Sequence, residues 1–365
     1  MVNHLSQSDD LHQRVQSFMA RPTDDDFACL ALDIADFQAR AIPAYGRLVR
    51  ASGARLDDAS RIPPVPVEAF RLTRVAAHAV ELDRAQFLTS GTTSGARGQH
   101  FMRRTDTYRS GAVNWGRRAL VPVGTDGVTV LCLAPRPDES QSSSLGFMLK
   151  AFVEEFDPFG RSDFARRWFL SESGLDLDGF RAAVERSLEQ SRPVLVLATS
   201  FALVHLLDAL ADQPLPSDGR SIVMQTGGFK GKSREIAADV LRRSLAQAFG
   251  IDECRVVGEY GMTELSSQHY EGTLPGARVR SLPGWFLPPP WLRVDALNPA
   301  SQAAVPDGEI GHACFTDLAN VDSAVRILTE DRIVRRGNAI QLLGRATTAL
   351  PRGCSLADEE LLAPT

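Results

Sequence analysis

The chain has 365 residues, 44% apolar and 23% charged, with a formal charge of −5, a composition typical of a globular protein that buries a large core as one domain or two subdomains. The acidic balance argues against a nucleic-acid-binding surface, which is basic as a domain. No stretch reaches the ~18 apolar residues of a membrane-spanning helix; the strongest candidate, Val194 to Leu207, is interrupted by Thr199, Ser200 and His205.

The first residues, MVNHLSQSDD, lack the basic head and apolar run of a signal peptide. The five cysteines (Cys29, Cys132, Cys254, Cys314, Cys354) are scattered and have no Cys-x-x-Cys spacing. We therefore expect a reducing cytoplasmic setting, with no disulfide framework and no zinc site. The first ~55 residues read as helical: Thr23 precedes three aspartates and an apolar-periodic run from Phe27 to Ala41, and Gly53 is a stop signal. The prolines of Ile62-Pro63-Pro64-Val65-Pro66 predict extended backbone. From Val128 onward, strands alternate with helices. Strands are expected at Val128 to Leu133, Pro193 to Ala198, Ser221 to Gln225 and Cys254 to Gly258, with helices at Phe201 to Ala211 and about Ser233 to Phe249. That alternation predicts an α/β fold with doubly wound, mostly parallel sheets. After Pro283, short strands around Trp291 to Asp295, Ala313 to Asp317, Ile333 to Arg335 and Ile340 to Leu343 predict a small antiparallel β subdomain. The expected organisation is a helical segment 1–60, an α/β core 61–282, a β subdomain 283–350 and a tail 351–365.

The most informative segment is Thr89-Ser90-Gly91-Thr92-Thr93-Ser94-Gly95-Ala96-Arg97-Gly98. Its glycines let consecutive N–H groups converge in a nest that favours anions, its hydroxyls add donors, and Arg97 adds a charge whose fork geometry suits phosphate. The same composition also describes a flexible surface turn. It is not a Walker A loop, since G-x-x-x-x-G-K-[ST] is absent. Farther on, Gly258-Glu259-Tyr260-Gly261-Met262-Thr263-Glu264 follows a predicted strand, at the carboxyl edge where open α/β sheets bind ligands. A turn with Thr263 as a helix cap is the bland alternative. Thr226-Gly227-Gly228-Phe229-Lys230 ends another strand; Lys230 there is either a phosphate contact or a solvated loop lysine.

Together these motifs resemble the acyl-adenylate-forming superfamily. The first loop is similar, without a gap, to T-S-G-T-T-G-x-P-K-G, with Ser94, Ala96 and Arg97 replacing glycine, proline and lysine. The resemblance implies that Thr89 to Gly95 and Gly98 hold the β- and γ-phosphates of ATP. Tyr260-Gly261-Met262-Thr263-Glu264 looks like Y-G-x-T-E; the resemblance implies that Thr263 meets the α-phosphate, Glu264 holds Mg²⁺, and Tyr260 flanks the adenine with Gly227 and Gly228. Val325-Arg326-Ile327-Leu328-Thr329-Glu330-Asp331 is similar to R-Y-x-T-G-D, which makes Asp331 the ribose ligand, with Glu330 departing from the family glycine. Arg345 in Leu343-Gly344-Arg345 resembles the second ribose contact.

Other stretches resemble the LuxE-type acyl-protein synthetases in particular: Ile62 to Phe70, Asp317-Leu318-Ala319-Asn320, Thr329-Glu330-Asp331 and Arg352-Gly353-Cys354-Ser355-Leu356. In that family a cysteine near the C-terminus accepts the acyl group from acyl-AMP and passes it to an acyl-CoA-reductase-type partner, and Cys354 is the matching residue. A thiolate suits attack on a mixed anhydride, and Arg352 favours the charged form; an inert small residue is the alternative. The superfamily's mobile C-terminal domain with its catalytic lysine is expected to be missing, which favours transfer to a thiol or partner protein over self-sufficient CoA ligation. The expected activity is ATP-dependent formation of acyl-AMP from a carboxylic acid, fatty acyl by analogy, followed by transfer to a thiol or partner protein. The rival readings are an aryl ligase acting on CoA, a carrier protein or an amine, and a non-catalytic nucleotide-binding partner protein. Leu145 to Leu149 and Phe201 to Val204 suit either an acyl tunnel or the core.

Overall fold

The computed structural model describes residues 2–89, 97–137, 142–211, 213–227 and 236–345. Among these, thirteen strands form one mixed sheet. Its parallel part runs Val256–Tyr260, Ile222–Thr226, Val194–Thr199, Thr129–Pro135 and Trp168–Ser171. Successive residues of these strands face different cores. Val130, Cys132, Leu195, Leu197, Ile222, Met224 and Val257 join the larger core with the N-terminal helices. Leu131, Leu133, Val194, Val196, Val223 and Val256 join a second core with the helices Leu177–Glu189, Ser200–Leu210 and Ala238–Phe249. Burial on both faces is why Val194–Thr199 reads as an unbroken apolar run. The fold is therefore α/β, with helices covering both faces of the parallel strands.

The strands after residue 283 are antiparallel, as expected, and they hydrogen-bond into this same sheet. Phe286–Leu287 and His269–Glu271 connect Ala339–Arg345, Arg326–Arg336, Ile310–Asp317 and Leu292–Leu297 to Val256–Tyr260. The proline-rich stretch is extended: Val65–Pro66 lies parallel to Arg326–Arg336, and the Val67 N–H donates to Leu328 O at 2.9 Å. The helix expected from about Ser233 is described over Ala238–Phe249, because Ala237 is extended and residues 228–235 lie outside the described part.

The N-terminal segment forms three helices, Val2–Ala20, Asp24–Ala41 and Pro43–Ser52. Thr23 caps the second, accepting from Asp26 N at 3.3 Å. Pro43 starts the third, and Gly53, at φ +65°, ends it. No helix among the described residues is long and apolar enough to cross a membrane.

Two buried contacts dock these helices on the loop 317–325. Asp322 accepts from Ser8 Oγ at 2.5 Å and lies 3.1 Å from His12 Nε2. Gln38, fully buried, donates to the carbonyls of Asn320 (2.7 Å) and Val321 (2.9 Å) and accepts from Val325 N (2.9 Å). A Gln38→Leu variant removes the partners of Val321 O and Val325 N and leaves Asn320 O with only the long bond from Ser323 N, at 3.5 Å. It should lose about 2–5 kcal/mol of stability in denaturant unfolding, and a loss below 1 kcal/mol would contradict this anchoring role.

Candidate active site

A cleft of about 470 Å³ opens at the carboxyl ends of Ile222–Thr226 and Val256–Tyr260. Three distant parts of the sequence meet in it: Thr89, the run Gly258 to Glu264, and Thr329 to Asp331 with Gly344 and Arg345. The Tyr260 hydroxyl donates to Asp331 Oδ2 at 2.8 Å, and Arg345 Nε donates to Oδ1 at 3.0 Å. One carboxylate thus joins the last parallel strand to the antiparallel half of the sheet.

The described ends of the first loop, Thr89 and Gly98, adjoin Ala85–Leu88 and Gln99–Met102, which pair antiparallel. The loop ends are tied twice, by Thr89 N to Gly98 O (2.9 Å) and Gly98 N to Thr89 Oγ1 (2.8 Å). A Cβ on Gly98 would stand 3.0 Å from Thr89 Cγ2 and 3.6 Å from Glu264 Oε1, so the loop's end lies directly against the buried Glu264. Arg97 is exposed beside it. Ser90, Gly91, Thr92, Thr93, Ser94, Gly95, Gly228, Lys230 and Cys354 lie outside the described residues.

Thr263 and Glu264 sit in a tight turn after the strand, closed by Leu265 N to Met262 O at 3.1 Å, with no helix following. The turn rests on buried polar side chains. His100 Nδ1 donates to Thr263 O (2.8 Å) and Asn320 Nδ2 to Glu264 O (2.9 Å). Asn320 Oδ1 accepts from Ser266 Oγ (2.6 Å), while Asp317 accepts from Ser266 N (3.0 Å) and Ser267 Oγ (2.8 Å). Asp317-Leu318-Ala319-Asn320, singled out in the sequence as a family resemblance, is therefore the support of the Thr263–Glu264 turn. Gly227, at φ +73°, closes the neighbouring strand, its carbonyl accepting from Ser200 Oγ at 2.8 Å.

Sequence reasoning missed several cleft residues. Val67 reaches it from the proline-rich stretch. Glu271 accepts from Gly258 N (2.8 Å), Gly284 N (2.5 Å) and Arg242 Nη2 (2.5 Å), joining three elements at the cleft wall. Glu259 accepts the Thr226 hydroxyl. A lone acid or arginine carries no sequence signal of its partner, and only the motif position of Glu259 could have drawn notice. Conversely, Leu145 to Leu149 and Phe201 to Val204 are absent from the described cleft lining. Met148 and Leu149 belong to the larger core, where Phe147 stacks on Tyr108 at 5.2 Å, and Leu203 belongs to the second.

Burial shifts four of these groups in opposing senses. It pushes Glu259 up to about 7 against the Thr226 hydrogen bond, and Asp317 up to about 6 against donors from Ser267, Ala319 and Ser266. It lowers His100 to about 4, opposed by the bond to Thr263, and His269 to about 3. Between about pH 4.5 and 7 the folded chain holds a proton on Glu259 that the unfolded chain releases, so this stabilisation fades as pH rises. The histidines act in reverse, their contribution fading as pH falls below about 6.5. Glu259→Gln removes one acid arm. Its melting temperature relative to wild type should therefore rise from pH 5 to pH 7.5 in paired thermal scans; a constant difference would show that Glu259 does not titrate in this window.

A family model described as acyl-protein synthetase, LuxE, matches residues 53–363. The long-chain-fatty-acid–luciferin-component ligase of Vibrio harveyi is 21% identical over 318 residues, covering 84% of this chain and 79% of that protein. The ligase of the same name from Aliivibrio fischeri is 21% identical over 312 residues, covering 81% and 77%. Among solved structures, an open conformation of 2-hydroxyisobutyryl-CoA ligase with 2-HIB-AMP and CoA superposes with a TM-score of 0.61 at 14% identity, covering 90% of this chain and 76% of that one. The same ligase in its postadenylation state gives 0.62 at 15% identity, covering 90% and 69%. At such identities the likeness is one of fold, and it agrees with the sheet described above. The match over most of its length settles the family: this chain is a ligase of the LuxE acyl-protein synthetase family.

Proposed function

We propose that the cleft binds ATP and a carboxylic acid and joins them as acyl-AMP, releasing pyrophosphate. The observation that carries this reading is the convergence of Thr89 and Gly98, Tyr260 to Glu264, and Asp331 with Arg345 on one cleft. Asp331, pre-oriented by Tyr260 and Arg345, accepts the ribose hydroxyls. The Thr263 hydroxyl donates to the α-phosphate, and the glycine- and hydroxyl-rich loop with Arg97 receives the outer phosphates. The substrate carboxylate oxygen attacks the α-phosphorus in line, and the bond to the pyrophosphate oxygen breaks. Catalysis is positioning and charge stabilisation by groups already held in place.

Magnesium suits this donor set. Mg²⁺ is commonly held by one or two carboxylates together with substrate phosphates, and Glu264 is a buried carboxylate against the mouth of the loop. Among the described residues no group of three or more His, Cys, Asp or Glu offers an all-protein cage. Bound by Glu264, the ion would spread the charge of the leaving pyrophosphate. In the second half-reaction the Cys354 thiolate attacks the acyl carbonyl and releases AMP, and the thioester passes to a partner of the acyl-CoA-reductase or carrier-protein type. The named activity of the Vibrio harveyi and Aliivibrio fischeri relatives favours a fatty acid.

ATP–pyrophosphate exchange dependent on added acid tests the first step. Thr263→Ala should slow it on the order of 10²-fold, and Asp331→Asn should raise the KM for ATP on the order of tenfold. No exchange with any acid of a fatty and aryl panel would sink the adenylation reading. Radiolabelled acid tests the second step: Cys354→Ser should abolish covalent label while leaving exchange intact, and undiminished label would move the acceptor elsewhere.

A further inference from the structure

The cleft has two walls that diverge at consecutive residues of one strand. Tyr260 turns toward Asp331 and Arg345, the wall assigned above to the ribose. Glu259, its neighbour in Val256–Tyr260, leaves by the opposite face. That face carries Val257 two residues earlier, and Tyr270 stands directly across from Glu259 in the antiparallel register. The strand thus presents apolar groups to the core until it reaches the cleft, where a carboxylate takes the place of the next one.

The Glu259 side chain is 6% exposed, yet it belongs to the cleft lining. Oε2 accepts the Thr226 hydroxyl, and among the described residues Thr226 is the hydrogen-bond partner of this carboxylate. Oε1 lies along the cleft wall beside Gly261, where a Cβ would approach it to 2.8 Å, so the glycine keeps the carboxylate uncovered. Thr226, directly across from Glu259 on the adjacent strand, extends the same polar wall. A plain methylene chain laid here would strip water from the acceptor and return no donor. A hydroxyl or amine restores what was lost, because a donor to the carboxylate favours its ionised form against the burial that pushes Glu259 up to about 7.

We propose that Glu259 is a specificity-determining residue whose carboxylate accepts a hydrogen bond from an O–H or N–H group carried on the acyl chain of the substrate acid. The substrate class is thereby a hydroxy- or amino-substituted carboxylic acid. This inference rests on the adenylation reading, and the experiment separates the two.

Acid-dependent ATP–pyrophosphate exchange is measured with straight-chain acids and with their hydroxy and amino derivatives, the substituent walked along the chain. Wild type should show a kcat/KM at least about tenfold higher for one derivative than for its parent acid. Glu259→Met, close in size and apolar, should bring that ratio to within about twofold while leaving the KM for ATP unchanged. Glu259→Gln keeps the shape and should give an intermediate ratio, which guards against a Met variant that fails to fold. Equal rates with derivatives and parents in wild type, or a ratio that neither variant moves, overturns the assignment while leaving adenylation standing. A variant that instead alters discrimination between ATP and inosine triphosphate overturns it too, because the carboxylate then reads the exocyclic amine of the base. Exchange with no acid removes the adenylation reading and this inference together.

Discussion

The cleft depends on a turn that has no secondary structure of its own to support it. Beyond Tyr260 the parallel strand ends, and the backbone of Met262 to Ser267 runs through the interior with its polar groups outside any ladder or helix. Each such group costs free energy unless it finds a partner. His100, Asn320 and Asp317 supply those partners from below, and Gln38 in turn holds the loop that carries Asn320. The N-terminal helices are therefore part of the scaffold of the cleft, although none of their residues lines its described part. A supporting layer of this kind holds reactive side chains to the narrow tolerances that positional catalysis requires.

Carboxylates serve several physical ends within this small space. Asp331 is held by Tyr260 and Arg345 and joins the two halves of the sheet. Glu271 performs a similar junction with backbone N–H groups and Arg242, and the lack of a side chain at Gly258 lets it come close. Asp317 is spent on the supporting layer. Glu259 and Glu264 face the cleft, one on each side of Gly261. Environment alone separates these roles, since the residue types are nearly the same.

Much of this was readable beforehand. The parallel strands announced themselves because burial on both faces demands continuous Val, Leu and Ile, and the glycine–hydroxyl, tyrosine–threonine–glutamate and aspartate motifs stood out by their resemblance to adenylate-forming sequences. The proline-rich stretch was legibly extended, while its pairing with Arg326–Arg336 was not. The strands after residue 283 were legible one by one, but their membership in the main sheet was hidden, because Phe286–Leu287 and His269–Glu271 are too short to show a period. The apolar stripes of Leu145 to Leu149 and Phe201 to Val204 were open to two readings, and packing decided for the core.

The sequence by itself determined the alternation of strands and helices in the core, the family, and the motifs that carry the family resemblance. Local backbone preference and hydrophobic period act over a few residues and so leave their mark in the chain. The tertiary structure alone decided that Asp331 would meet Tyr260, that Asp317 and Asn320 would bear the Thr263–Glu264 turn, and that Glu259 would line the cleft beside Thr226. Those pairings span tens to hundreds of residues, and a hydrogen bond of that reach leaves no periodic trace along the chain.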